Sequence, residues 1–385
     1  MAPTAPFDTI RLDALLDEVG ADVAIATSPH NVRYLVGSYS DFHAHFDAIG
    51  IDRYLPALLW RRASPDDATL VGAPADAWKH EVEPPWVPTV LDASQSAAET
   101  ARLLADRLRT LGLAHATVAI EQSFAPYRFL RELTAALPGL AIVEAAPVFE
   151  ELRAIKRPDE LELLREAAER IVDAMADTAA AGAGLSTREI ADRLRLEEES
   201  RGLRFEYCLI AAGDSFNRAP SPQPWRRGEV LSLDSGGNLR GYIGDLCRMA
   251  VREPPPSRLV ELLAEVRAVQ DAARRPVRPG IPGGEVYAAA EAAMGGLPHG
   301  EHMQFVAHGM GLVPHEAPRL SATAPIRYPA THRDRPLQPG MVLSIETDLR
   351  LAGVGLVKLE DTVVVTASGC EGYGDAHRDW IVVDG

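Results

Sequence analysis

The sequence is poor in cysteine, which excludes two kinds of covalent or metal scaffold. It contains three cysteines in 385 residues, Cys208, Cys247 and Cys370, and no two of them form a Cys-x-x-Cys pair. A small, odd number of cysteines in a long chain argues against a disulfide framework and against a cysteine zinc site. We therefore expect free thiols and a cytoplasmic protein.

Two further shortages exclude classes of partner. No stretch approaches the ~20 uncharged residues of a membrane-spanning helix, and residues 1–9 lack a basic start followed by an apolar run. Positive charge is also scarce, because 39 Lys and Arg oppose 55 Asp and Glu, giving a formal net charge of −16. Nonspecific nucleic-acid binding depends on Lys and Arg that neutralise phosphates. We expect neither a membrane nor a nucleic acid as partner.

Apolar residues, by contrast, are abundant enough for two cores. They make up 46% of a chain that exceeds the usual size of a single core. Residues 8–148 alternate helical and strand patterns, which is typical of an α/β domain. Pro158 suits a first helical turn, and apolar residues then repeat with helical period. We therefore predict a first domain over residues 1–152 and a second over residues 153–385.

The first domain carries no dense catalytic motif. Its patterns predict strands at Val23–Ala26, Leu55–Trp60, Ala68–Val71, Thr117–Ile120 and Leu140–Val143, and helices near Ala97–Leu111 and Tyr127–Ala136. The second domain reads as two weak repeats, roughly residues 160–250 and 258–365. Each repeat would be a helix pair followed by β-strands, so the second domain is predicted to be a pseudo-twofold α+β fold.

Five side chains with metal-binding chemistry fall on the predicted strands of both repeats: Asp234, Asp245, His308, Glu346 and Glu360. Carboxylate oxygens are the ligands that hard divalent ions such as Mn²⁺ prefer. Four carboxylates and one imidazole can hold two such ions ~3.5 to 4 Å apart, sharing a water or hydroxide that is nucleophilic at neutral pH. The set predicts a two-metal hydrolytic centre between the two repeats.

Each of these residues also has a structural interpretation. Asp234 and Asp245 could cap a glycine-rich hairpin turn, and His308 beside glycines could be a satisfied core histidine. That interpretation is weaker for Glu346, because it interrupts the apolar run 341–345, where an unpaired carboxylate is costly. Glu360 follows another apolar run. The joint pattern favours the metal centre.

The motifs around these residues resemble the pita-bread-fold family that includes prolidase, aminopeptidase P, methionine aminopeptidase and creatinase. The catalytic-domain motifs are LDSGG at 233–237, GYIGDLCR at 241–248, HGMG at 308–311, SIET at 344–347 and KLEDT at 358–362. Residues 28–35, SPHNVRYL, are similar to the N-terminal domain of the creatinase and prolidase branch. The resemblance implies a creatinase-like α/β domain followed by a pita-bread catalytic domain, and a homodimer.

The resemblance also implies roles for single residues. Asp234 would bind one ion, Asp245 and Glu360 would bridge, and His308 and Glu346 would complete the other ion's site. Glu346 would serve as a proton shuttle. His315 matches a histidine that contacts substrate near the scissile bond and stabilises developing charge. The expected ions are two Mn²⁺, with Zn²⁺, Co²⁺ or Fe²⁺ as alternatives.

The sequence departs from the family pattern at several positions. No histidine occurs in residues 213–221, where peptidases of this family usually carry one, and Thr347 and Lys358 replace a usual proline and arginine. Five residues are predicted to contact substrate, and each could equally be a loop residue without that role: Asn217, Arg218, Arg319, His43 and His45.

Three functions follow from this pattern. The first is hydrolysis of the amide bond in small X-Pro-type peptides, as in Xaa-Pro dipeptidase and aminopeptidase P. The second is hydrolysis of a small nonpeptide C–N bond, as in creatinase or ectoine hydrolase, or a metal-assisted lyase reaction. The missing histidine favours this second function. The third is a noncatalytic binding scaffold, against which the complete ligand set argues.

Overall fold

The structure, a computed structural model, describes residues 4–37, 51–322 and 327–383. The chain divides into two compact units, Met1–Leu152 and Arg153–Gly385. Within the described residues, no helix combines the length and the apolar character that crossing a membrane requires.

The first unit is an α/β domain around one mixed sheet. Its strands are β1 (Val23–Ala26), β2 (Ala57–Arg61), β3 (Thr69–Gly72), β4 (Thr89–Asp92), β5 (Thr117–Ile120) and β6 (Ala141–Glu144), in the order β4-β3-β2-β1-β5-β6. Its helices are α1 (Thr9–Glu18), α2 (Pro29–Val36), α3 (Asp76–Val82), α4 (Ala97–Thr110), α5 (Tyr127–Ala136) and α6 (Ala146–Ala154). The strands and helices predicted from the sequence are confirmed, each to within two residues at either end.

Local sequence explains where these helices start. Asp8, Ser28 and Ser96 are N-caps whose side chains accept backbone N–H bonds from the first turns of α1, α2 and α4. Such caps satisfy donors that a helix leaves unpaired at its N-terminus. The amphipathic α4 buries Leu104 and Leu108 in the sheet's apolar core.

The second unit consists of two halves of the same plan. The first half contains α7 (Pro158–Ala181), α8 (Thr187–Ser200), β7 (Arg204–Ala212), β8 (Val230–Leu239) and β9 (Tyr242–Arg252). The second half contains α9 (Ser257–Arg274), α10 (Gly284–Gly295), β10 (Met303–Gly309), β11 (Val342–Leu351) and β12 (Gly355–Val365), followed by the short strands β13 (Cys370–Tyr373) and β14 (Ile381–Val383). The predicted repeat is therefore confirmed at the level of element order.

The two halves meet in one sheet, and their strands mirror each other across its centre. The order is β10-β11-β12-β9-β8-β7, so the last strand of each half, β12 and β9, are neighbours. Helix α7 packs against β8 and β9, and α9 packs against β11 and β12. The helices cover the sheet, and the predicted ligands fall on its four central strands and on β10.

Candidate metal centre

Strand register places three of the predicted ligands and one cysteine in a single row across the sheet. Asp234 on β8 is opposite Cys247 on β9, Cys247 is opposite Glu360 on β12, and Glu360 is opposite Glu346 on β11. Directly opposite residues in antiparallel strands share a face of the sheet. The row therefore brings a carboxylate from each half to the same face, and both aspartates lie inside strands rather than at a turn.

The other two predicted ligands lie on the same face, because side chains alternate with a period of two along a strand. Asp245 is two residues before Cys247, and His308 is two residues after Val306, which is opposite Glu346. Burial is nearly complete, since His308 is 1% exposed and Asp234 and Glu360 are 2% exposed. All five predicted residues thus lie together on one buried surface.

The ligand atoms of these residues form three overlapping groups. One is Asp245, His308 and Glu360, another is Asp234, Glu346 and Glu360, and the third joins His308 and Glu346 to His315; the atoms of each group lie within 4.8 Å of one another. His308, Glu346 and Glu360 each occur in two groups, so these three residues link the groups to one another. The side chain of Glu346 is 17% exposed, so its carboxylate is the one in the Asp234, Glu346 and Glu360 group that solvent reaches most easily.

A buried lysine occupies the middle of one group. The Lys358 Nζ donates to Asp234 Oδ2 at 2.5 Å, to Glu346 Oε2 at 2.6 Å and to Glu360 Oε2 at 2.7 Å. Its side chain is 2% exposed. The three oxygens that could form one ion site are therefore already bound to an ammonium.

The two possible ion positions differ in how well they fit a divalent ion. Asp245, His308 and Glu360 offer two carboxylates and an imidazole, a donor set suited to Mn²⁺. A second ion at Asp234, Glu346 and Glu360 does not fit, because the Lys358 ammonium contacts the same three oxygens. The residues present thus accommodate one ion without rearrangement.

Burial and neighbouring charges change the acidity of these groups. Burial, together with neighbouring carboxylates, raises the pKa of Asp245 well above its usual range and that of Glu360 to about 7. Burial acts in the same direction on Glu346, but Lys358 and His308 outweigh it and lower the pKa of Glu346. The same three-carboxylate contact raises the pKa of Lys358 against the effect of burial, so Lys358 is charged.

His315 is brought to the site by a tightly anchored loop. Its ring stacks on His308 with centroids 3.6 Å apart, and burial followed by repulsion from His308 lowers the pKa of His315 to about 4. The next residue, Glu316, is 1% exposed and accepts bonds from Arg153 at 3.0 Å and Lys156 at 2.9 Å. These bonds hold His315 against the ion site.

The glycines of the HGMG motif make room for this loop. A Cβ on Gly309 would lie 2.2 Å from the Ala317 carbonyl carbon, and one on Gly311 would lie 2.3 Å from the Glu316 carboxylate. Gly309 also forms backbone bonds to Glu316 and Pro318. The motif therefore encodes the close approach of the His315 loop to β10.

The predicted substrate-binding residues are placed less uniformly. Arg218 donates to the Asp234 carboxylate, and its side chain is 28% exposed. The Asn217 amide forms both of its side-chain bonds with Ala219 in its own loop, an arrangement that does not support its predicted contact with substrate. Arg319 lies over the Tyr328 ring, 4.2 Å from the centroid. His43 and His45 lie outside the described residues.

Three residues of the site were not predicted from the sequence. The sequence marks Lys358 only as a replacement for arginine, and it indicates no role for Glu316. Tyr207 on β7 lies close to Asp245, and burial followed by the nearby acids raises the pKa of its hydroxyl well above the usual range. A Cβ on Gly236 would lie 2.3 Å from the Tyr207 ring, so the glycine after Asp234 was the available signal.

One of the departures from the family pattern has a clear structural role. Thr347, where the resemblance leads us to expect proline, donates from its hydroxyl to Gln270 at 3.0 Å, and Gln270 in turn donates to the Ile345 carbonyl at 2.7 Å. These bonds lie next to Glu346 and tie β11 to helix α9. At the position where proline is expected, Thr347 thus supplies a hydrogen bond that holds strand β11 in place.

Comparisons with known proteins agree with this architecture. The sequence profile of metallopeptidase family M24 matches residues 162–367, and that of the Creatinase/Prolidase N-terminal domain matches residues 10–155. The chain is 25% identical to an Xaa-Pro dipeptidase of Lactobacillus helveticus over 97% of this chain and 98% of that protein. It is 27% identical to an Xaa-Pro dipeptidase of Pyrococcus horikoshii over 69% of this chain and 75% of that protein.

The fold agrees with a solved structure along almost its whole length. The Xaa-Pro dipeptidase of Bacillus anthracis superposes with a TM-score of 0.80 at 22% identity, covering 97% of this chain and 99% of that one. The family profile covers more than half of the chain and includes every predicted ligand. The chain belongs to metallopeptidase family M24, a metal-dependent peptidase with a Creatinase/Prolidase N-terminal domain.

Proposed function

We propose that the protein hydrolyses the amide bond of small X-Pro-type peptides. The observation that carries this proposal is the row Asp234–Cys247–Glu360–Glu346, with Asp245 and His308 on the same buried face. The Xaa-Pro dipeptidases among its relatives support the same substrate class. A divalent ion, most simply Mn²⁺, bound at this face would polarise the scissile carbonyl and lower the pKa of water.

Two side chains are placed to act on the reacting atoms. Glu346 is the carboxylate most open to the substrate side, and its Oε1 lies 3.2 Å from His308 Nε2, so it is placed beside the ion site to take up and return a proton. His315 lies beside His308 on the same side and can donate a hydrogen bond to the oxygen on which charge develops. These are the two catalytic residues of the proposal.

Arg218 fits the free carboxylate of a short peptide. Its guanidinium reaches Asp234 and is part-exposed, and among the described residues its Nε has no hydrogen-bond partner. A guanidinium binds carboxylates through several N–H donors at once. Recognition of a terminal carboxylate close to the site would favour dipeptides over longer chains. The homodimer expected from the resemblance stays a prediction.

One observation favours a second candidate, a small nonpeptide C–N substrate. The family's upstream histidine is absent, and Ser221 in that loop is bound to Thr187 at the start of α8, with its N–H donating to the Thr187 hydroxyl at 2.9 Å. This part of the loop therefore offers no imidazole to a leaving amine. A substrate that does not need one would suit the site equally well.

A substrate panel distinguishes the two candidates. Purified protein loaded with Mn²⁺ would be tested on X-Pro dipeptides, X-Pro-X tripeptides and X-Ala dipeptides of the same first residue, with release of the free amino acid as the readout. The proposal predicts cleavage before proline that a chelator stops and that Glu346→Gln abolishes. Bound metal without any peptide cleavage would reject it in favour of a nonpeptide substrate.

A further inference from the structure

We propose that Lys358 takes the place of one of the two ions, so that the protein holds a single divalent ion at Asp245, His308 and Glu360. This inference deepens the proposed function, because it concerns the metal content of the same site. The sequence predicted two divalent ions, whereas here we infer one divalent ion and, at the second position, the ammonium group of Lys358. The case rests on contacts, on charge and on position in the fold.

The contacts fill the hydrogen-bonding capacity of the ammonium. An ammonium has three donors, and Lys358 Nζ meets three carboxylate oxygens from three strands at 2.5, 2.6 and 2.7 Å. A small divalent ion binds oxygens at ~2.0 to 2.2 Å, so an ion on these same three oxygens would almost coincide with Nζ. One position cannot hold both cations.

The charges of the site lead to the same count. Four buried carboxylates face two side-chain cations, Lys358 and Arg218, and both cations contact Asp234. A residual charge of two negatives matches one divalent ion. A second divalent ion would leave a buried excess of positive charge, which is costly in a region of low dielectric. Neutrality therefore favours one ion per chain.

Position in the fold shows that Lys358 lies at the place where the other half carries a carboxylate. Glu360 and Cys247 are paired with each other across the centre of the sheet, and two residues before them lie Lys358 and Asp245. The two positions are equivalent, yet one carries an ammonium and the other a carboxylate. A lysine is a compact point charge, whereas the arginine expected from the resemblance is a planar fork that cannot converge on three oxygens in this way.

The test compares the metal content of wild-type protein and Lys358→Met. Both are dialysed against Mn²⁺, freed of loose metal and measured by plasma mass spectrometry, with calorimetric titration for the stoichiometry of tight binding. We expect one ion in the wild type and two in Lys358→Met, which keeps the length of the side chain but removes its charge. Electron paramagnetic resonance should show an isolated ion in the wild type and a spin-coupled pair in the variant.

A matched control uses the other buried lysine of this unit. Lys156 is 1% exposed in its side chain and pairs with Glu316 rather than with the ion site, so Lys156→Met should keep one ion. Two tight ions in the wild type, or equal counts in wild type and Lys358→Met, would overturn the proposal. Should Lys358→Met not fold, the wild-type count decides alone. No substrate is needed, so a failure of X-Pro cleavage leaves this result unaffected.

Discussion

The two halves of the catalytic unit share a strand plan but contribute different chemistry. Asp234 is the fifth residue of β8 and Glu346 the fifth of β11, while Cys247 and Glu360 are each the sixth residue of β9 and β12. The outer positions of the row are thus both acidic. Its central positions differ, because one half supplies a thiol and the other a carboxylate.

The difference teaches that a symmetric backbone can hold an asymmetric site. In the first half the acid Asp245 lies two residues from the centre of the row, and in the second half the cation Lys358 occupies that place. His308 and His315 both come from the second half, whereas the first half contributes no histidine to the site. Both halves supply residues of the candidate ion site, with Asp245 from the first half and His308 and Glu360 from the second.

The largest expected effect on activity comes from substituting the two aspartates of the first half one at a time. Asp245→Asn should lose the ion and lower kcat/KM by on the order of 10³-fold or more, because metal assistance supplies several kcal/mol. Asp234→Asn makes the same chemical change at a residue bound to Lys358 and Arg218, and it should keep the ion. Metal analysis and kinetics on both variants decide; loss of the ion in both would show that Asp234 is also a ligand.

A second comparison concerns one buried acid in each half. Glu316 in the second half is paired with Arg153 and Lys156, and these cations lower its pKa despite complete burial. Glu316→Gln leaves two buried cations without their partner and should reduce the free energy of unfolding by about 3 to 5 kcal/mol. Urea unfolding measures this. A change below about 1 kcal/mol would mean that the pair does not anchor the His315 loop.

His315 tests whether the second half alone contacts the reacting atoms. His315→Ala should keep the metal content and lower kcat by about 10² to 10³-fold, the loss expected for one transition-state donor. The matched control is His302→Ala, an exposed histidine of the same half, which should behave as wild type. Unchanged kinetics in His315→Ala would exclude a catalytic role for this residue.

The buried acid of the first half should respond to pH in the opposite sense to Glu316. Glu198 has no cation within hydrogen-bonding distance among its described contacts, accepts a bond from the Ser235 hydroxyl, and burial raises its pKa from 4.5 to about 8. The folded state thus binds a proton more tightly than the unfolded state. Its contribution to stability is full below about pH 4.5 and is lost as the pH rises toward about 8.

Glu198→Gln removes that titration. The variant should be more stable than wild type at pH 8 by about 1 to 3 kcal/mol and should show a shallower decline of stability between pH 5 and pH 8. Glu261→Gln, a change at an exposed position of α9, should retain the wild-type slope. Chemical unfolding at several pH values measures both. An identical slope in Glu198→Gln and wild type would show that Glu198 is ionised in the fold.

The sequence was informative where residue type and periodicity decide the outcome. Short apolar runs predicted β1 and β5 with their observed ends, since three or four apolar residues between polar breaks favour one buried strand. The five acidic and histidine residues stood out because carboxylates are costly within apolar strands. The fold class and the family followed from these motifs.

The sequence could not show what depends on strand register. Lys358 meets Asp234 and Glu346 only because three strands align in one row, and no local pattern encodes that alignment. Glu198 and Tyr207 look like ordinary helix and strand residues until packing buries Glu198 and places Tyr207 beside the acids of the site. The contact of Asn217 with substrate stays a prediction, because loop geometry cannot be derived from residue type.

The most direct test of the asymmetric site is the anomalous scattering of crystals grown with Mn²⁺. The account predicts one strong peak in contact with Asp245, His308 and Glu360, with the Lys358 ammonium still bound to Asp234 and Glu346. Two peaks bridged by Asp245 and Glu360, with Lys358 displaced from the carboxylates, would contradict it.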